Sequence, residues 1–272
     1  MKMPRLRFSI LAMLILIGVV SMGLAYWQQT LAWESAQQRF QKIVIEGENV
    51  RPTAQQIESI ERYIRNYPEL SLREGAVVWA THYGTTELVR NMLAAGANPN
   101  KDEDDGLVFP IHHAVQRNLL EMVEALIDAG ADIEARGIHR VTNVQDVTPL
   151  HVSALDGNIR MCDLLLKRGA DLEAVYGKPR PDSTWSPRTS DWVNSTSASN
   201  TVLHAAVIGG DPETVEFLLD QGAVSVASNQ LVTPYDIAQY IRRRYEDDEN
   251  QAQAYDEIIA LLETKTDVVS GP

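Results

Sequence analysis

A chain of 272 residues, 44% hydrophobic and 22% charged, has the proportions of a globular protein and enough length to bury a continuous core, which argues against a disordered chain. Its net charge is −13, and Lys2, Arg5 and Arg7 face no acid in the first 30 residues, so the remainder of the chain is more acidic still. Such a surface repels phosphate backbones and anionic lipid heads; it excludes nucleic acid as a partner and favours basic partner surfaces.

Phe8 to Leu24 is an apolar run without a charge, preceded by Lys2, Arg5 and Arg7 and followed by Tyr26 and Trp27. Residues 1–30 are therefore expected to be a membrane anchor or an export signal. A helix needs about 20 apolar residues to cross a bilayer, and Phe8 to Trp27 reaches that length with interfacial aromatics at its end. Gly23-Leu24-Ala25 offers the small residues of a signal-peptidase site, although a typical signal core is only about 7 to 15 residues. In both cases the basic end stays inside and everything after Gln28 is exported, into the periplasm if the chain is bacterial, as its short basic, apolar and aromatic start indicates. Residues 31–52 are expected to form a linker helix. The single cysteine, Cys162, excludes an intramolecular disulfide, so stability must come from packing.

Self-similarity decides the fold. Four segments align without gaps on a Gly-Ala pair: Gly96-Ala97, Gly130-Ala131, Gly169-Ala170 and Gly222-Ala223. In that register Val89, Val123, Cys162 and Val215 fall in one column, Met92, Leu126, Leu165 and Leu218 in a second, and Leu93, Ile127, Leu166 and Leu219 in a third. This is an apolar stripe at helical spacing, closed by a glycine suited to a left-handed cap. Upstream, in the same register, stand Gly75-Ala-Val-Val-Trp-Ala, Phe109-Pro-Ile-His-His-Ala, Thr148-Pro-Leu-His-Val-Ser-Ala and Thr201-Val-Leu-His-Ala-Ala. Proline in a first helical turn has no N–H to lose, and threonine before it caps the helix.

These segments resemble the ankyrin-repeat family, the third nearly letter for letter. The resemblance covers residues 53–264 and implies an all-α solenoid whose units each consist of helix, tight turn, helix and a projecting loop. Four full units are expected between two caps. Thr53 to Tyr67, with Ile57, Ile60, Tyr63 and Ile64 at helical spacing, resembles the second helix of an N-terminal cap. Thr233-Pro-Tyr-Asp-Ile-Ala and a helix near Tyr255 to Leu262 resemble a C-terminal cap, whose polar outer face the Arg242–Asn250 stretch supplies. Residues 265–272 are expected to be a disordered tail. The first unit departs from the pattern at Val78, in place of histidine, and the fourth at Val202, in place of proline.

The connections from Gly96 to Phe109, Gly130 to Thr148 and Gly222 to Thr233 are short, whereas that from Gly169 to Thr201 is longer by about 20 residues, a length that is usually functional or disordered. This insertion, residues 175–200, carries Trp185 and Trp192 and, at Asn194-Ser195-Thr196, a glycosylation acceptor sequence. In a solenoid such insertions emerge on one face, often the binding face.

No constellation of residues points to chemistry. By the resemblance, His112, His151 and His204 bond to backbone and tie neighbouring units together. His113 and His139 stand at no metal-ligand spacing from a second ligand. Cys162 occupies a core column held elsewhere by valine, which implies a buried, unreactive thiol. The acidic run Asp102-Glu103-Asp104-Asp105-Gly106 fails as a calcium loop, because Asp105 and Ile111 stand where the glycine and the bidentate glutamate belong. No metal, cofactor or catalytic group is expected.

The resemblance implies a monomeric binding protein that reads its partner with the pair of residues before each turn glycine: His82 and Tyr83, Gln116 and Arg117, Leu155 and Asp156, and Ile208. Trp185 and Trp192 add large apolar area on the insertion, for the partner or for the loop's own packing. A protein partner is expected, and the bilayer through Phe8 to Trp27. Two alternatives stand beside this: a dedicated inhibitor or protector of an exported enzyme, and an enzyme with its site on the insertion, which supplies Asp182 and Asp191 but no histidine or cysteine.

Overall fold

The computed structural model describes residues 10–45, 52–73, 75–101, 109–139, 142, 144–176, 200–224, 232–245 and 248–266, with residues 10–18, 45 and 266 as backbone only. The chain divides into two compact units, residues 1–70 and 71–272.

In the first unit, helix α1 (Ile10–Phe40) runs unbroken from the apolar segment into the expected linker and ends in a π-helical turn, Gln41–Ile45. Residues 46–51 of that linker lie outside the described residues. Among the described residues no helix is long and apolar enough to cross a membrane; Phe8 and Ser9 lie outside them, and the side chains of 10–18 do as well. The described part of the apolar run is nonetheless solvent-facing: Val19, Val20, Met22, Leu24, Tyr26, Trp27 and Leu31 are all exposed, while Ala36, Phe40 and Val44, one turn apart, are buried. Helix α2 (Ala54–Asn66) starts at a capping box in which Thr53 accepts from the backbone N–H of Gln56 and the Gln56 side chain returns the bond to Thr53 N. It meets α1 through the Trp33 and Tyr67 rings, 5.4 Å apart, and through Arg39, which donates to the Tyr63 hydroxyl.

The second unit is a stack of helix pairs: α3 (Ala76–Tyr83) with α4 (Thr86–Ala94), α5 (Pro110–Gln116) with α6 (Leu120–Asp128), α7 (Pro149–Leu155) with α8 (Ile159–Lys167), α9 (Val202–Gly209) with α10 (Pro212–Asp220), and α11 (Pro234–Arg244) with α12 (Glu249–Thr266). The second helix of each of the first four pairs is the striped segment of the alignment and ends at its glycine. Gly96, Gly130, Gly169 and Gly222 have φ between 89° and 96°, and the alanine after each donates back into the helix, as Ala97 N does to Met92 O at 3.1 Å. Two stripe columns are fully buried, Val89, Val123, Cys162 and Val215, and Met92, Leu126, Leu165 and Leu218. The third expected column, Leu93, Ile127, Leu166 and Leu219, is only half-buried, because it lies on the shoulder of a helix that presents its other flank to the core. The core takes Leu88, Met122, Met161 and Thr214 instead.

The architecture is helical but not all-α. The connection after Gly130 folds into a two-stranded hairpin, β1 (Gly137–His139) against β2 (Val144–Val147), and β3 (Val175–Tyr176) pairs with β4 (Asn200–Thr201) at the base of the insertion. The longer connections leave enough chain to pair with itself, a possibility that a helix-repeat alignment does not encode. At the other end, α12 continues to Thr266, and Lys265 bonds to Asp220 and Glu216, so the expected tail does not begin at 265.

Side chains of one unit satisfy the backbone of the next. Asn100 accepts from Asp132 N at 2.7 Å and donates to Gly130 O at 2.9 Å; Glu134 accepts from Asp171 N, and Glu173 from Val224 N. His112 and His204 do the same inside the core, each with Nε2 beside a carbonyl of the following connection, Val147 O at 2.9 Å and Val232 O at 3.1 Å. His151 caps its own helix through Thr148, with the Tyr176 ring edge-on to it. Burial lowers all three, His112 and His204 to about 4 and His151 to about 3, so they are neutral at pH 7.

Candidate partner-binding surface

The residue pair before each turn, at Gly84, Asn118, Gly157 and Gly209, closes the first helix of its unit, and the structure ties five of the seven row residues to a neighbouring element. His82 Nδ1 lies 3.0 Å from Nδ1 of His113, one unit further on, with the rings edge to face. Tyr83 packs its ring between His82 and Trp79, at centroid distances of 4.3 and 5.8 Å. Gln116 donates to Ile138 O of β1 at 3.0 Å, and Arg117 reaches back to Thr81 O at 2.6 Å, supplying a donor to the carbonyl end of α3.

In the third unit Leu155 is buried and Asp156 is exposed, its carboxylate 2.9 Å from Nε2 of His139. The backbone N–H of Thr142 donates to Nδ1 of the same ring, so the imidazole proton sits on Nε2 and is given to Asp156. The Thr142 hydroxyl is also 2.6 Å from Nδ1. This chain of carboxylate, imidazole and hydroxyl closes the β1–β2 turn onto α7. His139 itself is 2% exposed, which shields it from any substrate. In the fourth unit Ile208 uses its carbonyl to accept from Tyr255 of α12 at 3.4 Å. Its neighbour is Gly209, where a Cβ would stand 2.6 Å from Leu155 O; only glycine permits that approach of successive units.

His82, Tyr83, Gln116, Arg117, Leu155, Asp156 and Ile208 therefore form one row along the stack, while Trp185 and Trp192 lie outside the described residues. The row also depends on residues that sequence reasoning did not assign to it: His113, Thr81, His139 and Thr142. His139 and Asp156 are far apart in sequence, and only the hairpin brings them together, so no motif spacing could reveal the pair. Arg117 is lowered by desolvation, whereas Arg168, on the opposite helix layer, is raised by its bond to Asp128.

The Cys162 thiol is buried, pushed up to about 11 by desolvation and 3.2 Å from Ser153 Oγ, which is the state of a packed and unreactive side chain. Among the described residues no group of three or more His, Cys, Asp or Glu side chains is placed to hold a metal ion. A cavity of about 550 Å³ opens on the other helix layer, over Leu119, Leu120, Glu121, Arg160 and Leu164, and shares no residue with the row.

Two stretches match family models: residues 77–176 match ankyrin repeats (3 copies), and residues 199–229 match the ankyrin repeat. Among curated proteins the chain is similar to E3 ubiquitin-protein ligase KEG of Arabidopsis thaliana, 33% identical over 85 residues, which is 31% of this chain and 5% of that protein. It is also similar to palmitoyltransferase ZDHHC13 of Mus musculus, 31% identical over 102 residues, and to palmitoyltransferase ZDHHC17 of Rattus norvegicus, 28% identical over 102 residues; in both cases this is 38% of this chain and 15% of the relative. The chain thus spans only a small fraction of the length of these relatives, and their named activities belong to proteins that are mostly unmatched here.

Proposed function

Because this chain is an ankyrin-repeat protein, we propose that it is a non-catalytic binding module that recognises a protein partner along the row from His82 to Ile208, with the insertion between β3 and β4 as a second contact. The observation that carries this reading is the lacing of the row itself. Bonds between neighbouring elements at His82–His113, Gln116–Ile138, Arg117–Thr81 and Asp156–His139 fix its side chains before a partner arrives. A preorganised surface loses less conformational entropy on binding, and that saving appears as affinity. Tyr83 and Arg117 are of the residue types that most often carry binding energy. The acidic remainder of the chain favours a partner with an overall basic face.

The module is held at a membrane by α1, with the repeats on the exported side. Support comes from the exposed apolar side chains Val19 to Trp27, which a helix in water would not leave uncovered, and from Lys2, Arg5 and Arg7 ahead of them. In a bacterium that side is the periplasm. Pull-down from solubilised membranes with the wild-type chain and with Tyr83→Ala/Arg117→Ala tests the binding reading: a protein retained by the first and lost by the second supports it. An alkaline wash of membranes tests the tether; release of the intact chain into the supernatant rejects it.

A further inference from the structure

Successive units do not meet equally closely. Where the fourth unit meets the third, a Cβ at Gly209 would lie 2.6 Å from Leu155 O, so α9 seats against α7 as closely as a bare backbone allows. The position aligned with Gly209 is Asp156 in the third unit and Arg117 in the second, and a side chain at that place holds the preceding helix further off. Arg117 ties its unit to the first through Thr81 O at 2.6 Å. Asp156 bonds instead to His139 of the hairpin, 2.9 Å away. On the outer layer of this same junction a cavity of about 550 Å³ opens between α6 and α8, with Leu119, Leu120 and Glu124 on one side and Arg160, Asp163 and Leu164 on the other. Helices parted in this way forgo the dispersion contacts that resist bending. Among the described residues the polar bonds that cross from α8 to α6 are those of one side chain, Arg168, which reaches Asp128 at 2.5 Å and Glu124 at 3.5 Å. These are surface pairs, open to screening by salt. The hairpin side of the junction is laced, by His112 to Val147 O at 2.9 Å and Gln116 to Ile138 O at 3.0 Å, and Glu134 accepts from Asp171 N at 2.8 Å.

We propose that the junction between the second and third units is a hinge, which pivots on the hairpin side and opens on the outer layer, with Arg168 as the strap across the opening. The row crosses this junction between Arg117 and Asp156, so its curvature follows the strap. A partner that spans both units selects one setting of the hinge. The hinge itself stands on how the units pack; only its use by a partner rests on the reading of the row as a binding surface.

The test is double electron–electron resonance on the full chain in lipid nanodiscs, with nitroxides at Arg90→Cys of α4 and Glu213→Cys of α10, both exposed positions, in a Cys162→Val background. This pair spans the junction. A second pair, at Lys167→Cys of α8 and Glu257→Cys of α12, lies wholly beyond it. In Arg168→Ala the spanning distance should lengthen by about 2 Å or more and its distribution broaden, while the second pair stays unchanged. Raising the salt to about 1 M should do the same to the chain that keeps Arg168, since screening loosens the strap. The salt comparison needs no substitution at Arg168, so it remains informative if the alanine variant folds poorly. A spanning distance that salt leaves unaltered, or that Arg168→Ala leaves unaltered in a folded chain, overturns the hinge. Equal lengthening of both pairs overturns it as well, because the stack would then loosen as a whole. None of these outcomes bears on whether the row binds a partner.

Discussion

Asp156, at the end of the third unit's first helix, accepts the Nε2 proton of His139 from the tip of the preceding hairpin, 2.9 Å away. The His139 ring is buried, so the carboxylate is the group that keeps its N–H from being orphaned. Asp156→Ala should therefore cost about 1 to 3 kcal/mol of stability, and Asp156→Asn, which keeps an acceptor oxygen, distinctly less. Urea unfolding of the two variants checks this; equal midpoints for both would mean that the bond does not hold the hairpin.

The three core histidines set the acid limit of the fold. Their ordinary value of 6.5 applies in the unfolded chain, and burial lowers it to about 4 for His112 and His204 and to about 3 for His151. The unfolded chain thus binds more protons across that interval, so stability is fully present above about pH 6.5 and is lost as pH falls toward 4. The unfolding midpoint should drop between pH 7 and pH 5. His204→Gln should flatten that drop while lowering the midpoint at pH 7; a midpoint independent of pH over this range would contradict the neutral, buried assignment.

Core positions should respond according to depth. Leu165 and Leu218 are completely buried, and truncation of either to alanine should cost about 2 to 5 kcal/mol, whereas Leu166→Ala, on the half-buried shoulder, should cost less. Cys162→Val should be close to neutral, since Ser153 keeps its bond to Leu150 O and three other units already place valine in that column. The Cys162 thiol should stay unmodified by a thiol reagent until the chain unfolds. Thermal unfolding and alkylation kinetics report on both.

Most of the helical order was legible in the sequence because it repeats. The Gly-Ala anchors and the two buried columns define helix ends and core together, since a left-handed cap and a buried stripe are both local consequences of residue type. The hairpin between Gly137 and Val147 was not legible, because no alternation of Val144, Gln145, Asp146 and Val147 distinguishes four residues of strand from loop. The row residues were legible as positions but not as bonds. His82 meets His113 and Asp156 meets His139 only after units stack and the hairpin folds back, and stacking is a tertiary event without a sequence spacing. The ends of the insertion differ from the expected 175–200 for the same reason: Tyr176 and Asn200 are core residues paired across a two-residue ladder, not loop.

The Tyr176–Asn200 pair limits how the insertion can be removed. Excision of residues 178–198 with a short connector keeps the pair and should alter stability by about 1 kcal/mol or less, because closure entropy depends only weakly on loop length. Excision that takes Tyr176 and Asn200 as well exposes the edge of His151 and should lower the unfolding midpoint clearly. If both deletions unfold alike, the insertion itself belongs to the folded core.

The central claim, that the row from His82 to Ile208 is where a protein partner binds, is tested most directly by measuring the affinity of a co-purified partner for four forms of the full chain. These are wild type, Tyr83→Ala/Arg117→Ala, the 178–198 excision, and Trp185→Ala/Trp192→Ala, each first shown to unfold at the wild-type midpoint. The Tyr83/Arg117 variant should lose about 2 to 4 kcal/mol of binding, with smaller losses in the two insertion variants. Full affinity in the Tyr83/Arg117 variant, together with loss in the excision, would contradict the claim and move recognition to the insertion.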